Sequence, residues 1–93
     1  NYFQIKDVVE KPSISQAPSN YAIIGRYILP AKIFSEIRKL KPGQGKEIHI
    51  TDAIRNLIHK GNNFFGNIFQ GKYLDCGTLN GYIKSSVHIF KGK

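Results

Sequence analysis

A proline- and serine-rich loop constrains this chain more than any other feature. Lys11 to Asn20 holds Pro12, Pro18, Ser13, Ser15 and Ser19. Pro12 disfavours helical backbone at Lys11, so the sequence on either side must form separate elements. Before the loop, Tyr2 to Glu10 alternates imperfectly, with Phe3, Ile5, Val8 and Val9 apolar, and reads as a strand. After it, Tyr21 to Leu29 is rich in aromatic and β-branched residues and reads as a buried strand. Gly25 weakens the interior of that strand unless something must come close to the backbone there.

The rest of the chain alternates helical and extended signals. Pro30 suits a helix first turn, and Ile33, Phe34, Ile37 and Leu40 follow at helical spacing. Lys41-Pro42-Gly43-Gln44-Gly45 ends that helix in a turn. Glu47 to Ile50 reads as a short extended piece. Thr51 is predicted to cap a second helix, with Asp52 favoured in its first turn by the helix dipole. Ala53, Ile54, Leu57 and Ile58 form the apolar face of that helix, and Gly61 is placed to terminate it. Asn62-Asn63 makes a turn. Phe64 to Gln70 and Lys72 to Leu74 read as strands separated by Gly71. Gly77-Thr78 opens a last helix, with Leu79, Tyr82, Ile83, Ser86, Val87 and Phe90 at steps of three and four. The order β-β-α-(short β)-α-β-β-α is mixed α/β. No repeat, low-complexity segment or boundary divides it, so residues 1–93 read as one segment.

Size and charge bound the function classes. Ninety-three residues make at most one small domain with a modest core. The formal charge of +8 attracts polyanions in principle. Its lysines and arginines are dispersed, with no long run of like charge, so a solvated surface is favoured over a nucleic-acid stripe. No apolar run approaches the roughly 20 residues of a membrane span. The single cysteine fits a reducing compartment, hence a cytoplasmic location. Asn1-Tyr2-Phe3, with no methionine and no basic lead, reads as the continuation of a longer chain.

Three clusters carry chemistry. Glu10 and Lys11, at the exit from the first strand, can diverge to grip two parts of one ligand; an exposed ion pair is the plainer reading. Gly25-Arg26-Tyr27 adds a glycine for close approach. A phosphorylated sugar asks for this combination: an acceptor for hydroxyls, a cation for phosphate and room beside the backbone. Asp75 lies at the end of an expected strand, where a carboxylate can ligate Mg²⁺ or cap the following helix. Asp52 is assigned to capping alone. Cys76 reads as a small buried thiol rather than a nucleophile, because no spacing singles out His49, His59 or His88 as its base. The histidines and cysteine show no metal-ligand spacing. Gly43-Gln44-Gly45-Lys46 lacks the spacing of a phosphate loop, since Glu47 follows the lysine. Asn62 stands where an RNA-binding strand would need an aromatic residue.

Taken together, V-E-K-P, A-P-S-N-Y-A-I-I-G-R-Y-I-L, G-K-E-I-H-I-T-D-A-I and Y-L-D-C-G resemble the C-terminal third of the bacterial UTP–glucose-1-phosphate uridylyltransferase family. The motifs stand in that family's order over about residues 8 to 90. The sister thymidylyltransferases share E-K-P and T-D but typically carry D-T-G at Asp75-Cys76-Gly77. His49 departs from the glutamine usual in the uridylyl branch. The resemblance implies a doubly wound α/β nucleotidyltransferase core with a mixed sheet, of which the N-terminal nucleotide-binding portion is absent here. It implies synthesis of UDP-glucose and pyrophosphate from UTP and glucose 1-phosphate with Mg²⁺ as cofactor. By carry-over, Glu10 holds glucose hydroxyls and Lys11 pairs with the sugar phosphate as a catalytic cation. Gly25 admits the sugar against the backbone, and Asp75 is one Mg²⁺ carboxylate. The intact enzyme is expected to be a homo-oligomer without nucleic-acid or membrane partners. This segment alone is expected to be inactive and to leave apolar strand surface uncovered. Glu10, Lys11, Gly25 and Asp75 are expected to line one concavity at the sheet edge.

Overall fold

The helix that organises the core is the one whose apolar spacing is clearest. The computed structural model describes residues 2–42 and 47–92. Within them lie β1 (Tyr2–Ile5), α1 (Ile33–Lys39), α2 (Ile50–His59), β2 (Phe64–Asn67) and α3 (Leu79–Lys91). Ala53, Ile54 and Leu57 of α2 are buried. They meet Ile33 of α1 and Val8 from the segment after β1. Ile5, Leu29, Ile37, Leu40, Ile58 and Phe64 pack around that centre. Each buried aliphatic side chain contributes about 1.5–3 kcal/mol, and a core this small depends on each.

α1 and α2 are also tied by charge. Glu36 is 4% exposed, and Lys60, just past α2, donates to its Oε2 at 2.6 Å. The Lys60 hydrogen bond outweighs burial and, with Lys39 nearby, holds the Glu36 carboxyl below its ordinary value. The same bond raises Lys60. Gly61 stops α2 as expected, at φ +93°, with its amide donating to the Ile58 carbonyl.

The sheet is smaller than the sequence predicts. β1 pairs antiparallel with β2, Phe3 opposite Gly66 and Ile5 opposite Phe64. The Phe3 ring covers Gly66, 3.0 Å from where a Cβ would stand. The expected strands at Tyr21–Leu29 and Lys72–Leu74 do not form, and Phe64–Gln70 shortens to β2. Residues 21–28 are exposed, Ile28 wholly so. β-Branched and aromatic residues favour a strand only against a neighbouring ladder and a packed face. The described residues supply neither there, apart from a tilted contact between the Tyr21 and Phe3 rings at 6.0 Å.

Three further expectations are corrected locally. His49, not Thr51, is the N-cap of α2, and Thr51 lies buried in the first turn. Asp52 sits in that turn without capping it. Cys76 is exposed rather than buried, since the segment from 68 to 78 belongs to no ladder. The expected turn and loop at Gly43-Gln44-Gly45-Lys46 lie outside the described residues. α3 begins as expected: the Thr78 hydroxyl accepts from the Gly81 amide at 3.0 Å. Its apolar residues, Leu79, Tyr82, Ile83, Val87 and Phe90, remain exposed.

Candidate functional site

β1 ends at Ile5, and the chain then runs along α2, meeting Arg55 and His59 through Asp7 and Thr51 through Glu10, before turning at Pro12. Three residues, Asp7, Val8 and Glu10, fix this passage. The Asp7 carboxylate accepts from the Val8 amide at 2.9 Å. It also accepts from both Nε and Nη2 of Arg55, at 3.1 and 3.3 Å, and stands 3.2 Å from His59 Nε2. Val8 is buried in the core. The Thr51 hydroxyl donates to Glu10 Oε1 at 2.6 Å. Burial works to raise the Asp7 carboxyl, but the Val8 amide, Arg55 and His59 together hold it below its ordinary value.

Lys11 is the strained point of the passage. Its φ is +43°, alone among the described non-glycine residues in being positive. A long side chain before proline rarely adopts that conformation, and such strain concentrates at functional sites. The corner opens a cleft of about 610 Å³ lined by Glu10, Lys11, Ser13, Gln16 and Arg55, with Val9 and Pro12 as its apolar part. Two cations and a carboxylate thus converge on one cavity. Thr51 occupies one Glu10 oxygen, which leaves the other to accept from a ligand. The arrangement suits a molecule carrying both hydroxyls and an anionic group.

The structure brings Glu10 and Lys11 together in this cleft; neither Gly25 nor Asp75 is among its lining residues. Gly25 has φ +84° and nothing within 4 Å of a built Cβ. Its conformation needs glycine, and the space beside it is open. Asp75 Oδ1 accepts from the Gly77 amide at 2.9 Å, while Thr78 caps α3. A Cβ on Gly81 would lie 2.2 Å from the Asp75 carbonyl oxygen, so glycine at 81 keeps the Asp75 backbone against the helix start. Among the described residues, no group of three His, Cys, Asp or Glu side chains could hold a metal ion, and no helix is long and apolar enough to cross a membrane.

Sequence reasoning missed Asp7, Thr51 and Arg55. Thr51 reads in sequence as a helix cap, and the other two carry no local signal. Their partners lie 41 and 48 residues away in the chain.

The mixed helix–strand build agrees with comparison to known proteins. The nucleotidyl transferase family model matches residues 1–92, and the chain belongs to that family. Within it, the chain is similar to the UTP–glucose-1-phosphate uridylyltransferases of Pseudomonas aeruginosa (46% identity over 90% of this chain and 30% of the relative) and of Mycoplasma pneumoniae (39% over 91% and 29%). A structure of UDP-glucose pyrophosphorylase complexed with UDP-glucose superposes with a TM-score of 0.90 at 44% identity, over 99% of this chain and 34% of that one. The apo form of UDP-glucose pyrophosphorylase gives a TM-score of 0.85 at 45% identity, over 98% and 33%. The fold is therefore the α/β nucleotidyltransferase fold, and the chain spans about a third of the length of the proteins it matches.

Proposed function

We propose that this chain is the sugar-phosphate side of an enzyme that makes UDP-glucose and pyrophosphate from UTP and glucose 1-phosphate. The observation that carries the reading is the Glu10–Lys11 corner. It is strained at Lys11, locked to α2 through Thr51 and open to a cleft large enough for a hexose phosphate. Likeness to relatives named for this reaction supports it.

In this reading the free Glu10 oxygen accepts from sugar hydroxyls, and the Lys11 ammonium pairs with the phosphate. The phosphate oxygen of glucose 1-phosphate attacks the α-phosphorus of UTP in line; the new P–O bond forms as the bond to pyrophosphate breaks. Lys11 contributes by orienting the attacking phosphate and neutralising its charge. Gly25 admits the sugar beside the backbone. Asp75 keeps one carboxylate oxygen open beyond its bond to Gly77. That donor fits Mg²⁺, which takes one or two carboxylates and completes its shell with water and phosphates. Mg²⁺, when bound, offsets phosphate charge during transfer. The remaining ligands and the nucleotide-binding loop belong, in this reading, to a preceding N-terminal portion. A homo-oligomeric, cytoplasmic enzyme is part of the same proposal. A sister thymidylyl specificity is its alternative; base choice rests with the nucleotide-binding portion, so the test offers dTTP against UTP to the intact enzyme that carries this segment rather than to a chimera.

The test is a chimera in which residues 1–92 replace the matching segment of the Pseudomonas aeruginosa relative. The chimera should make UDP-glucose. Lys11→Ala should raise KM for glucose 1-phosphate and lower kcat on the order of 10²-fold, as loss of one preorganised charge partner does. Unchanged kinetics for Lys11→Ala in a folded, active chimera would remove the reading.

A further inference from the structure

The Asp7–Arg55 pair is more elaborate than docking α2 requires. Arg55 spends Nε and one Nη2 hydrogen on the two oxygens of Asp7. A guanidinium has five donors in a fixed plane, so the Nη1 group and the outer Nη2 hydrogen remain. The Arg55 side chain is 43% exposed and lines the cleft with Glu10 and Lys11. A two-point ion pair on one edge of the plane fixes the direction of the other edge. That removes the rotamer entropy an arginine otherwise loses on binding. Asp7 is itself held by the Val8 amide and His59, so the support is anchored to the core.

We infer that Arg55 is a second phosphate-binding cation of the cleft, acting beside Lys11 on a phosphomonoester, with Asp7 as the positioning residue that aims it. The inference deepens the sugar-phosphate reading above and rests on it. Lys11 is a point charge on a flexible stem, whereas Arg55 offers a planar donor edge that matches two phosphate oxygens. The two therefore divide the work: Lys11 supplies charge, and Arg55 sets the orientation of the phosphate.

The experiment uses the same chimera and measures KM for each substrate, kcat and melting temperature. Arg55→Gln should raise KM for glucose 1-phosphate on the order of tenfold, the effect of losing a hydrogen bond to a charged group, and leave KM for UTP unchanged. Arg55→Lys should recover the charge but less than half of the loss. Asp7→Asn should raise the same KM by a smaller factor, and should add nothing once Arg55 is Gln, since residues acting through one contact are non-additive. Inorganic phosphate should compete with glucose 1-phosphate less well in Arg55→Gln than in the parent. Four results would overturn the inference. One is a KM for glucose 1-phosphate within twofold of the parent in Arg55→Gln while Lys11→Ala raises it. A second is an equal rise in KM for both substrates with a lowered melting temperature, which would make Arg55 a purely structural tie. A third is an Asp7→Asn effect that persists in full on the Arg55→Gln background. The fourth is silence at both Arg55 and Lys11, or a folded chimera that turns over nothing, either of which removes the underlying reading as well.

Discussion

Two glycines separate conformational from steric need. Gly25 holds φ +84° with open space around it, so Gly25→Ala meets only the left-handed backbone penalty of about 1–2 kcal/mol. Gly81→Ala places a Cβ 2.2 Å from the Asp75 carbonyl oxygen and 3.0 Å from the Thr78 hydroxyl. Something must shift, and overpacking of that kind costs about 1–3 kcal/mol. Urea denaturation of both variants should show Gly81→Ala as the more damaging; in the active chimera Gly81→Ala should weaken Mg²⁺-dependent turnover by moving Asp75, whereas Gly25→Ala should raise KM for glucose 1-phosphate. Asp75→Asn carries the complementary expectation. It keeps shape but removes the anionic oxygen Mg²⁺ needs, so activity should be abolished across a Mg²⁺ titration with the melting temperature nearly unchanged. Near-parent activity would take Asp75 out of the metal site. Glu10 and Lys11 were legible as candidates through the E-K-P motif of the family resemblance; as an anonymous pair at a proline-bounded corner they read more plainly as an exposed ion pair. Thr51 and Arg55 were not legible, because they reach Glu10 and Asp7 only when α2 packs against that corner.

α1 and α2 form the unit on which the rest depends. Leu57 is 2% exposed at the centre of the core, and Leu57→Ala should cost about 2–5 kcal/mol, enough to unfold a chain with so few buried residues. Thermal melts followed by circular dichroism would show it. The charged ties predict a pH dependence. Asp7 and Glu36 have folded-state values below their ordinary 3.8 and 4.5. Their stabilisation is therefore complete above those values and is lost as pH falls through the lower folded-state ones. Lys60 is raised above 10.5, so its share is complete below that value and is lost as pH rises through the raised one. Melting temperature should be level across neutral pH as far as these groups decide it, and should fall on acidification below pH 4.5. Glu36→Gln should blunt the acid limb; an unchanged limb would mean the Lys60 tie contributes nothing. The helices were readable because a 3.6-residue period shows in the chain itself. The strands were over-read because pairing needs a partner that local pattern does not reveal.

The molecule as a whole leaves much apolar surface in contact with solvent. Residues 21–28 and the α3 stripe from Leu79 to Phe90 expose Tyr21, Ile28, Tyr82 and Phe90 among others, more than a soluble monomer normally shows. In the proposed reading these surfaces are covered by the remainder of the enzyme. The 93-residue chain alone should therefore bind the dye ANS strongly or self-associate in sedimentation, and the chimera should do neither. A chain that is monomeric and silent to ANS would be an autonomous domain.

Family membership, the α/β class, the positions of α1, α2 and α3 and the Glu10–Lys11 corner were all readable from residue order. Each rests on short-range pattern: a helical period, a proline that blocks one conformation, a motif of adjacent residues. Three things waited for the folded chain: the reach of Thr51 to Glu10, the fork of Arg55 on Asp7, and the failure of Tyr21–Leu29 to become a strand. Each depends on which distant segments come into contact. Side-chain hydrogen bonds across 41 or 48 residues, and the presence or absence of a ladder partner, are properties of packing that no local stretch of sequence encodes.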